Sequence, residues 1–253
     1  MPPSFRMSRT RFSLETILLV FGFCRPIEQC LFLFAAPELI NVLLSKHLTT
    51  REDNGDTTLH LMAKDQAQGR SRLIARALFS RKDIDVNVPN GNGKIPLVCA
   101  AQRGNHWLVK LLLLRGDFNW TMLDAFSFTP LVWAAKKQDK ALMKALLSNR
   151  NIRLNECDVF RRTALSYAAE YGNEGMARLL LQNPAVDAEW SDETARSPLS
   201  YAAESGSDRI VELLLDREEV NAHSVDSYMK TPFGYAAEYN HIGIMLVLKE
   251  CEY

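Results

Sequence analysis

The 253-residue sequence lacks a net charge and lacks any long apolar run, and each absence excludes a class of protein. It carries 30 basic and 30 acidic side chains, so the formal charge at pH 7 is zero. Proteins that grip nucleic acid usually present a basic surface, and we therefore expect no nucleic-acid partner. The apolar stretches 17–24 and 31–36 fall short of the ~18 apolar residues of a transmembrane helix, so we expect no membrane span.

The sequence also lacks an ordered set of cysteines. The five cysteines are Cys24, Cys30, Cys99, Cys157 and Cys251. Their number is odd, they are widely spaced, and none of them forms a Cys-x-x-Cys pair or has a matched pair of histidines. This pattern favours reduced thiols over a disulfide framework or a zinc site. We therefore expect an intracellular protein, cytoplasmic or nuclear.

No arrangement of residues indicates catalysis. The five histidines are scattered, and neither a Ser/His/Asp nor a Cys/His grouping stands out. Segment 91–94 reads Gly-x-Gly-Lys, but a phosphate-binding P-loop needs Gly-x-x-x-x-Gly-Lys followed by Ser or Thr, and Ile95 follows here. We therefore expect no enzyme activity, no cofactor and no metal.

What the sequence does contain is one short phrase in six copies. The copies begin at Thr57, Ile95, Thr129, Thr163, Ser197 and Thr231. The spacing is 38 residues once and then 34 residues four times, and five of the copies end in Ala-Ala. A fixed period of this length indicates a solenoid of stacked units instead of a globular enzyme core. We number the repeats one to six in this order.

The residue types within each copy predict two helices. A Thr or Ser followed by Pro begins a helix, because the hydroxyl accepts from a free backbone N–H and Pro fits the first helical position. Residues that tolerate the left-handed conformation then predict its end, at Gly104, Gly172, Gly206 and Asn240. Preferred N-cap residues predict the start of a second helix, at Asn105, Asp139, Asn173 and Ser207. Apolar residues at helical spacing follow, which indicates an amphipathic helix.

The phrase resembles the Thr-Pro-Leu-His-x-Ala signature of ankyrin repeats, whose unit is a β-turn followed by two helices with a period of about 33 residues. The resemblance covers residues 51–253. It implies an all-α ankyrin-repeat solenoid of stacked helix-turn-helix units with short β-hairpin or turn connections. We expect six repeats, which start near residues 52, 90, 124, 158, 192 and 226.

Two departures from the family pattern lead to further expectations. The glycine that ankyrin hairpins usually carry two residues before the Thr is present as Gly55 and Gly93. The other four copies carry Ser127, Arg161, Ala195 and Met229. If this position needs a positive φ, each replacement costs on the order of 1 kcal/mol, and we expect reshaped hairpins. The family histidine survives only as His60, so we expect its hydrogen bond to the Thr hydroxyl to be lost in the other five copies.

The first fifty residues allow several interpretations. Residues 31–50 are compatible with a degenerate repeat that caps the stack, since terminal repeats are atypical. Residues 1–30 form a leader to which the sequence assigns no structure; a disordered leader or a gene-model error also remains open. A signal peptide is a further alternative, although Glu15 interrupts it. Segment 14–20 faintly resembles the opening of an F-box, the module that recruits a ubiquitin-ligase scaffold.

The resemblance implies that the chain binds a protein through the groove formed by the hairpin tips and the ends of the first helices. The family's contact positions lie four, three and one residues before the Thr and seven and eight residues after it. Here they hold Phe126, Phe128, Lys136, Lys137, Phe160, Arg162, Tyr171, Arg196, Tyr228, Lys230 and Tyr239, together with Lys94 and Arg103. Aromatic residues and Arg dominate interface energetics. Alternatively, some of these aromatic side chains pack between adjacent hairpins. We expect a monomeric scaffold or adaptor with one protein partner.

Charges at two of these positions alternate along the array. The position before the Thr holds Lys94, Arg162, Arg196 and Lys230, and the position seven residues after it holds Glu170, Glu204 and Glu238. Either these charges pair with each other, as exposed pairs worth ~0–1 kcal/mol each, or they meet a partner of alternating charge.

Two further functions remain open. With its F-box-like segment, the chain would be a substrate adaptor of a ubiquitin ligase. Alternatively, it would be the targeting portion of a larger enzyme, because it stops directly after the last second helix without a polar capping repeat. This abrupt end would expose Ile244 and Leu248 unless something covers them. Either the array is truncated, or its last helix is less exposed than it looks.

Overall fold

A computed structural model describes residues 54–64, 79, 84–115 and 128–251 of the protein. The chain divides into two units, Met1–Leu48 and Thr49–Tyr253, and every described residue belongs to the second. The leader 1–30, its F-box-like segment, the capping repeat 31–50 and the repeat starts near 52 and 124 therefore lie outside the described residues.

Eleven α-helices lie within the described ranges. Each repeat opens with a first helix: α1 (Thr58–Lys64), α2 (Pro96–Arg103), α4 (Pro130–Lys136), α6 (Ala164–Glu170), α8 (Pro198–Ser205) and α10 (Pro232–Glu238). The second helices are α3 (His106–Arg115), α5 (Lys140–Leu147), α7 (Glu174–Leu181), α9 (Asp208–Leu215) and α11 (Ile242–Glu250). The connections described are turns, and no β-strand occurs in these ranges. The predicted all-α solenoid is confirmed.

The first helices begin where the Thr-Pro phrase predicts. Oγ1 of Thr129 accepts a hydrogen bond from the amide of Val132 at 3.1 Å, and Pro130 occupies the first helical position. Thr163 and Ser166 form a reciprocal capping box at the start of α6. Helix α2 begins without a side-chain cap, because Ile95 has no hydroxyl to offer.

The first helices also end as predicted, at residues in the left-handed region. The φ angles are 66° at Gly104, 61° at Gly172, 71° at Gly206 and 59° at Asn240. In repeat three the same position is held by Gln138 with φ 54°, which the sequence did not single out. The left-handed conformation is sterically unfavourable for glutamine and not for glycine. The neighbouring helix caps must therefore stabilise the backbone of Gln138 in this conformation.

The second helices start at the four predicted cap residues. The side chains of Asn105, Asp139 and Asn173 accept hydrogen bonds from the amide three residues further on. Ser207 is the N-cap residue of α9 as predicted, but its hydroxyl makes no cap bond. Its Oγ lies 2.9 Å from Oγ of Ser205, so the two hydroxyls satisfy each other.

Neighbouring repeats pack first helix on first helix and second helix on second helix. The leucine of the phrase is buried at these interfaces in repeats two to five, as Leu97, Leu131, Leu165 and Leu199. The Ala-Ala pairs of the same repeats are buried beside them. Burying one leucine contributes ~1.5–3 kcal/mol, and the small alanines let the next helix approach closely.

The last helix is less exposed than its apolar sequence indicates, which agrees with the second alternative for the end of the array. Ile244 and Leu248 are buried on α11, which packs against α10 and α9. The helices of this repeat expose Phe233, Ile242 and Leu246. Phe233 stands at the position of the buried leucines and is 38% exposed.

The hairpins that lack glycine keep the geometry of those that have it, so the expected reshaping is wrong. Arg161, Ala195 and Met229 have φ angles of 59°, 59° and 60°, in the same region as Gly93 at 72°. The amide of Ala195 donates to the carbonyl of Asp192 at 3.0 Å, as the amide of Gly93 does in its own turn. The hairpin of Ser127 lies outside the described residues.

Candidate partner-binding groove

The hairpin tips of repeats four to six are each held by their own acidic residue, and those of repeats five and six are also held by the preceding tip. Oδ1 of Asp192 accepts hydrogen bonds from the amides of Thr194 and Arg196, at 2.8 and 3.0 Å. The same pair of bonds is made by Asp158 and by Asp226. The amide of Glu193 also donates to the carbonyl of Phe160 in the preceding tip, at 3.0 Å. The tips of repeats four to six therefore form a connected line with a fixed backbone.

A buried tyrosine joins each of these hairpins to its own first helix. Tyr201 donates its hydroxyl hydrogen to Oδ2 of Asp192 at 2.6 Å. The equivalent pairs are Tyr167 with Asp158 and Tyr235 with Asp226. Burial, together with this hydrogen bond, raises the pKa of Tyr201. Burial acts to raise the pKa of Asp192 as well, but the hydrogen bonds from Tyr201 and the backbone amides outweigh it and lower that pKa.

Serine replaces the family histidine in two copies, so the expected loss of the bond to the Thr hydroxyl is wrong there. His60 keeps the family arrangement, with Nδ1 2.8 Å from Oγ1 of Thr57. In repeat four, Oγ of Ser166 lies 3.2 Å from Oγ1 of Thr163. In repeat five, Ser200 and Ser197 make the same contact at 3.3 Å.

Two arginines are stacked between tyrosines of successive repeats. The guanidinium carbon of Arg162 lies 4.1 Å from the ring centre of Tyr167 and 4.5 Å from that of Tyr201. Arg196 lies 4.1 Å from Tyr201 and 4.0 Å from Tyr235. Cation–π contacts of this kind are worth ~0.5–2 kcal/mol each. They tie three repeats together along the wall of the groove.

The alternating charges of the groove pair with each other, which confirms the first of the two interpretations. The pairs are Arg162 with Glu170 at 2.5 Å, Arg196 with Glu204, and Lys230 with Glu238 at 2.5 Å. The side chains of Arg162 and Arg196 are only 14% exposed, whereas that of Lys230 is 41% exposed. The two arginines therefore act first as structural links between repeats, and a direct contact with a partner stays a prediction for them.

The third repeat departs from this scheme. Phe128 stands where the later repeats carry Arg or Lys, and it is only 7% exposed. Its ring packs edge-on against Trp133 with 5.1 Å between centres, and Nζ of Lys136 lies 4.3 Å from its centre. The burial of Phe128 therefore favours the packing interpretation over contact with a partner, because its ring packs between the hairpin and the first helix.

The other described aromatic candidates are exposed: Phe160 (46%), Tyr171 (44%), Tyr228 (68%) and Tyr239 (52%). Phe160, Tyr171 and Tyr228 line one depression of about 480 Å³. Its wall includes Lys136, Arg162, Glu170, Glu193 and Arg196. Lys137 is exposed at the end of α4, next to this wall. Phe126 lies outside the described residues.

The sequence analysis did not assign a role to Tyr167, Tyr201 and Tyr235, which form the floor and wall of the groove. A signal for them was present, since an Asp stands nine residues before the Tyr in each of the three repeats. A hairpin Asp and a helix Tyr at constant separation, repeated in phase, indicate a buried hydrogen bond. Trp133 occupies the same helix position in repeat three, where an indole replaces the phenol.

The described residues show no other kind of site. No group of three or more His, Cys, Asp or Glu side chains among them is placed to hold a metal ion. Their cysteines, Cys99, Cys157 and Cys251, are free. None of the helices in these ranges has both the length and the apolar character that crossing a membrane requires.

Pairs of helices stacked at a constant period, with hairpin tips along one edge, define a helical repeat solenoid. Comparison with protein-family models identifies the repeat. The family described as ankyrin repeats (3 copies) matches residues 31–122, 114–192 and 183–253. The chain belongs to the ankyrin-repeat family, while the number of six repeats stays a prediction. Ankyrin repeats generally mediate protein–protein interactions and are typically not enzymes. A comparison with curated proteins finds no match.

Proposed function

We propose that this protein is a scaffold or adaptor that binds one protein partner through the groove of repeats three to six. The observation that carries the proposal is the row of exposed aromatic side chains around the depression, namely Phe160, Tyr171 and Tyr228. Large aromatic side chains rarely stay exposed together, and an exposed apolar patch marks an interaction surface. Aromatic anchors are also the residues that carry most of the energy in protein interfaces.

The aromatic side chains stand on a rigid frame, which favours binding. The backbone of Phe160 is held by Asp158 and by the amide of Glu193. The ring of Tyr171 stacks on that of Tyr167 with 6.3 Å between centres and 22° between planes. A partner therefore loses little affinity to ordering of the groove, because the entropy cost of fixing these groups has been met during folding.

We propose an intracellular location and a monomeric state for the protein. Support for the location comes from the free cysteines of the described residues, of which Cys251 is exposed and Cys157 is partly exposed. Exposed free thiols persist in reducing compartments and are oxidised elsewhere. Cys99 is a packing residue, since burial raises the pKa of its thiol to about 11.

The proposal is tested by affinity capture with the full chain, followed by mass spectrometry. Tyr171→Ala combined with Tyr228→Ala removes two exposed rings of the groove. We expect the proteins captured by the wild type to be depleted at least tenfold, because truncating one hot-spot aromatic costs about 2 kcal/mol or more.

The matched control is Leu114→Ala combined with Leu246→Ala. Both leucines are exposed on second helices, away from the tips. This variant should capture the same proteins as the wild type. Capture that is unaffected by the tyrosine variant, or that depends on the two leucines, contradicts the groove as the binding surface.

A further inference from the structure

We propose that the partner binds as an extended segment that is acidic where it crosses repeats two and three and apolar where it crosses repeats four to six. The inference rests on the proposed function and specifies the chemistry of its partner. Its basis is a set of cations at one end of the groove, the basic cluster, which consists of Lys94, Arg103, Lys136 and Lys137.

Three members of the basic cluster surround one aromatic pair. Nζ of Lys94 lies 5.4 Å from the ring centre of Trp133, and Nζ of Lys137 lies 6.0 Å from the same centre. Nζ of Lys136 lies 4.3 Å from the ring of Phe128, which packs against Trp133. Three ammonium groups from two repeats therefore converge around a rigid aromatic support. Arg103 is exposed at the end of α2. It is the equivalent in repeat two of Lys137, which follows the last residue of α4.

Three of these cations, Arg103, Lys136 and Lys137, are not compensated by a carboxylate among the described residues, whereas Nζ of Lys94 donates a hydrogen bond to Gln102 at 2.8 Å. In repeats four to six the position of Lys136 is taken by glutamates, and each of these pairs with its own Arg or Lys. The Arg or Lys and Glu pairs thus cancel in repeats four to six, where exposed Arg161 and Glu193 add one charge of each sign. The net charge left for a partner is therefore positive in repeats two and three.

A short acidic peptide segment fits this distribution better than a nucleic acid does. A nucleic-acid strand carries a negative charge on every nucleotide and needs basic side chains along its whole path. Here the path continues past the carboxylates of Glu170 and Glu193, which line the depression. Carboxylates of a peptide can instead stop at Lys136 and Lys137, and apolar side chains can follow onto Phe160, Tyr171 and Tyr228.

The stacking distance sets the spacing of the recognised residues. Packed helices lie about 8–10 Å apart, so each repeat advances the groove by roughly that distance. An extended chain advances about 3.3 Å per residue, so it crosses one repeat in about three residues. We therefore expect the acidic residues to fall within a stretch of about six residues of the bound segment, which crosses repeats two and three. Apolar residues should follow about three to six positions further along the segment.

The experiment is a display selection of random 12-residue peptides on the full chain. The wild type is compared with Lys136→Glu combined with Lys137→Glu. The matched control is Lys140→Glu combined with Lys144→Glu, which makes the same change in charge at exposed positions of α5. Lys136→Gln combined with Lys137→Gln removes the charges without reversing them, and the circular dichroism of each variant is compared with that of the wild type.

We expect the wild type and the α5 control to select peptides with clustered Asp or Glu followed by apolar residues. The glutamate and glutamine variants should bind a selected peptide about tenfold more weakly, as expected for the loss of two partly exposed ion pairs. The affinity of the wild type should fall as salt is added, because exposed charges are screened.

Three outcomes overturn the inference. The first is that the wild type selects peptides without acidic residues and that Tyr171→Ala no longer binds them. This result refutes the acidic partner but supports binding in the groove. A mixed-sequence single-stranded DNA of twelve nucleotides that binds more tightly than the selected peptides, through Lys136 and Lys137, assigns the cluster to nucleic acid. If the wild type selects no peptide at all, both the acidic partner and peptide binding by the groove fail.

Discussion

At the scale of single residues, the protein keeps a strained backbone conformation where the family uses glycine. Arg161, Ala195 and Met229 sit at φ angles near 60°. Side chains with a Cβ pay a steric cost there. The conformation persists because the hairpin is fixed by its backbone bond and by the two amides that donate to the carboxylate of the hairpin Asp. Strain at one residue is offset by bonds made by its neighbours.

Relief of this strain should stabilise the protein. Ala195 is exposed, with a φ of 59°. We expect Ala195→Gly to raise the free energy of unfolding in urea by about 0.5–1 kcal/mol, because the steric gain exceeds the added entropy of the unfolded chain. Ala185→Gly is the control: Ala185 is exposed in a turn outside the left-handed region, and its replacement should cost about 0.4–1 kcal/mol. If Ala195→Gly and Ala185→Gly changed the free energy of unfolding equally, backbone strain at Ala195 would be contradicted.

At the scale of the elements, the hairpin and the first helix of each later repeat are joined by one buried hydrogen bond from Tyr to Asp. The Tyr ring also supports the Arg that links two repeats. The element pair therefore depends on a neutral tyrosine and an ionised aspartate. Both requirements appear as pKa shifts, raised for Tyr201 and Tyr235 and lowered for Asp192 and Asp226.

These shifts predict how stability depends on pH. The raised tyrosine pKa values mean that this contribution is complete below the ordinary pKa of 10.0 and is lost as the pH rises above it. The lowered aspartate pKa values mean that their contribution is complete above the ordinary pKa of 3.8 and is lost as the pH falls below it. Stability measured by urea unfolding should therefore decline on both sides of this range.

Removal of the hydroxyls of Tyr201 and Tyr235 tests the predicted loss of stability at alkaline pH. Tyr201→Phe combined with Tyr235→Phe should lower stability at neutral pH by about 1.5–3 kcal/mol per hydrogen bond to a charged group. The same variant should lose less stability than the wild type between about pH 9 and about pH 11.5. Tyr228→Phe removes an exposed hydroxyl, and we expect the wild-type pH profile from it. An alkaline decline that is as steep in the double variant as in the wild type would refute the assignment.

At the scale of the whole array, stability is distributed along a line. First helices contact first helices and second helices contact second helices, so each repeat is supported mainly by its two neighbours. A change in a central repeat therefore affects two interfaces, one with each neighbouring repeat. The arginines stacked between tyrosines add a second set of links in repeats four to six.

A cavity in a central repeat should therefore weaken both neighbouring interfaces. Leu165 is buried on α6, which packs against α4 and α8. We expect Leu165→Ala to lower the free energy of unfolding by about 2–5 kcal/mol and to broaden the urea transition as the two sides uncouple. Leu114→Ala, at an exposed site, should stay within about 0.5 kcal/mol of the wild type. A sharp transition with an unchanged midpoint in Leu165→Ala would contradict nearest-neighbour coupling.

Much of the fold was predictable because its signals lie within one repeat. The hydroxyls of Thr129 and Thr163, the left-handed ends at Gly104 and Gly206, and the period itself all act between residues that are close in sequence. The pairing of Arg162 with Glu170 was predictable for the same reason, since both belong to one hairpin and one helix. The conformation of Gln138 was missed, because glutamine carries no preference for the left-handed region.

The amino-acid sequence by itself determined the repeat, the two helices of each unit and the positions that line the groove. Only the tertiary structure decided which of those positions are exposed and which of their charges are paired. Phe128 turned inward onto Trp133, Arg162 was taken up between tyrosines about one repeat apart, and Lys136 and Lys137 were left without a carboxylate among the described residues. The physical reason is that exposure and charge compensation depend on side chains of the neighbouring repeats, which the pattern within one repeat does not contain.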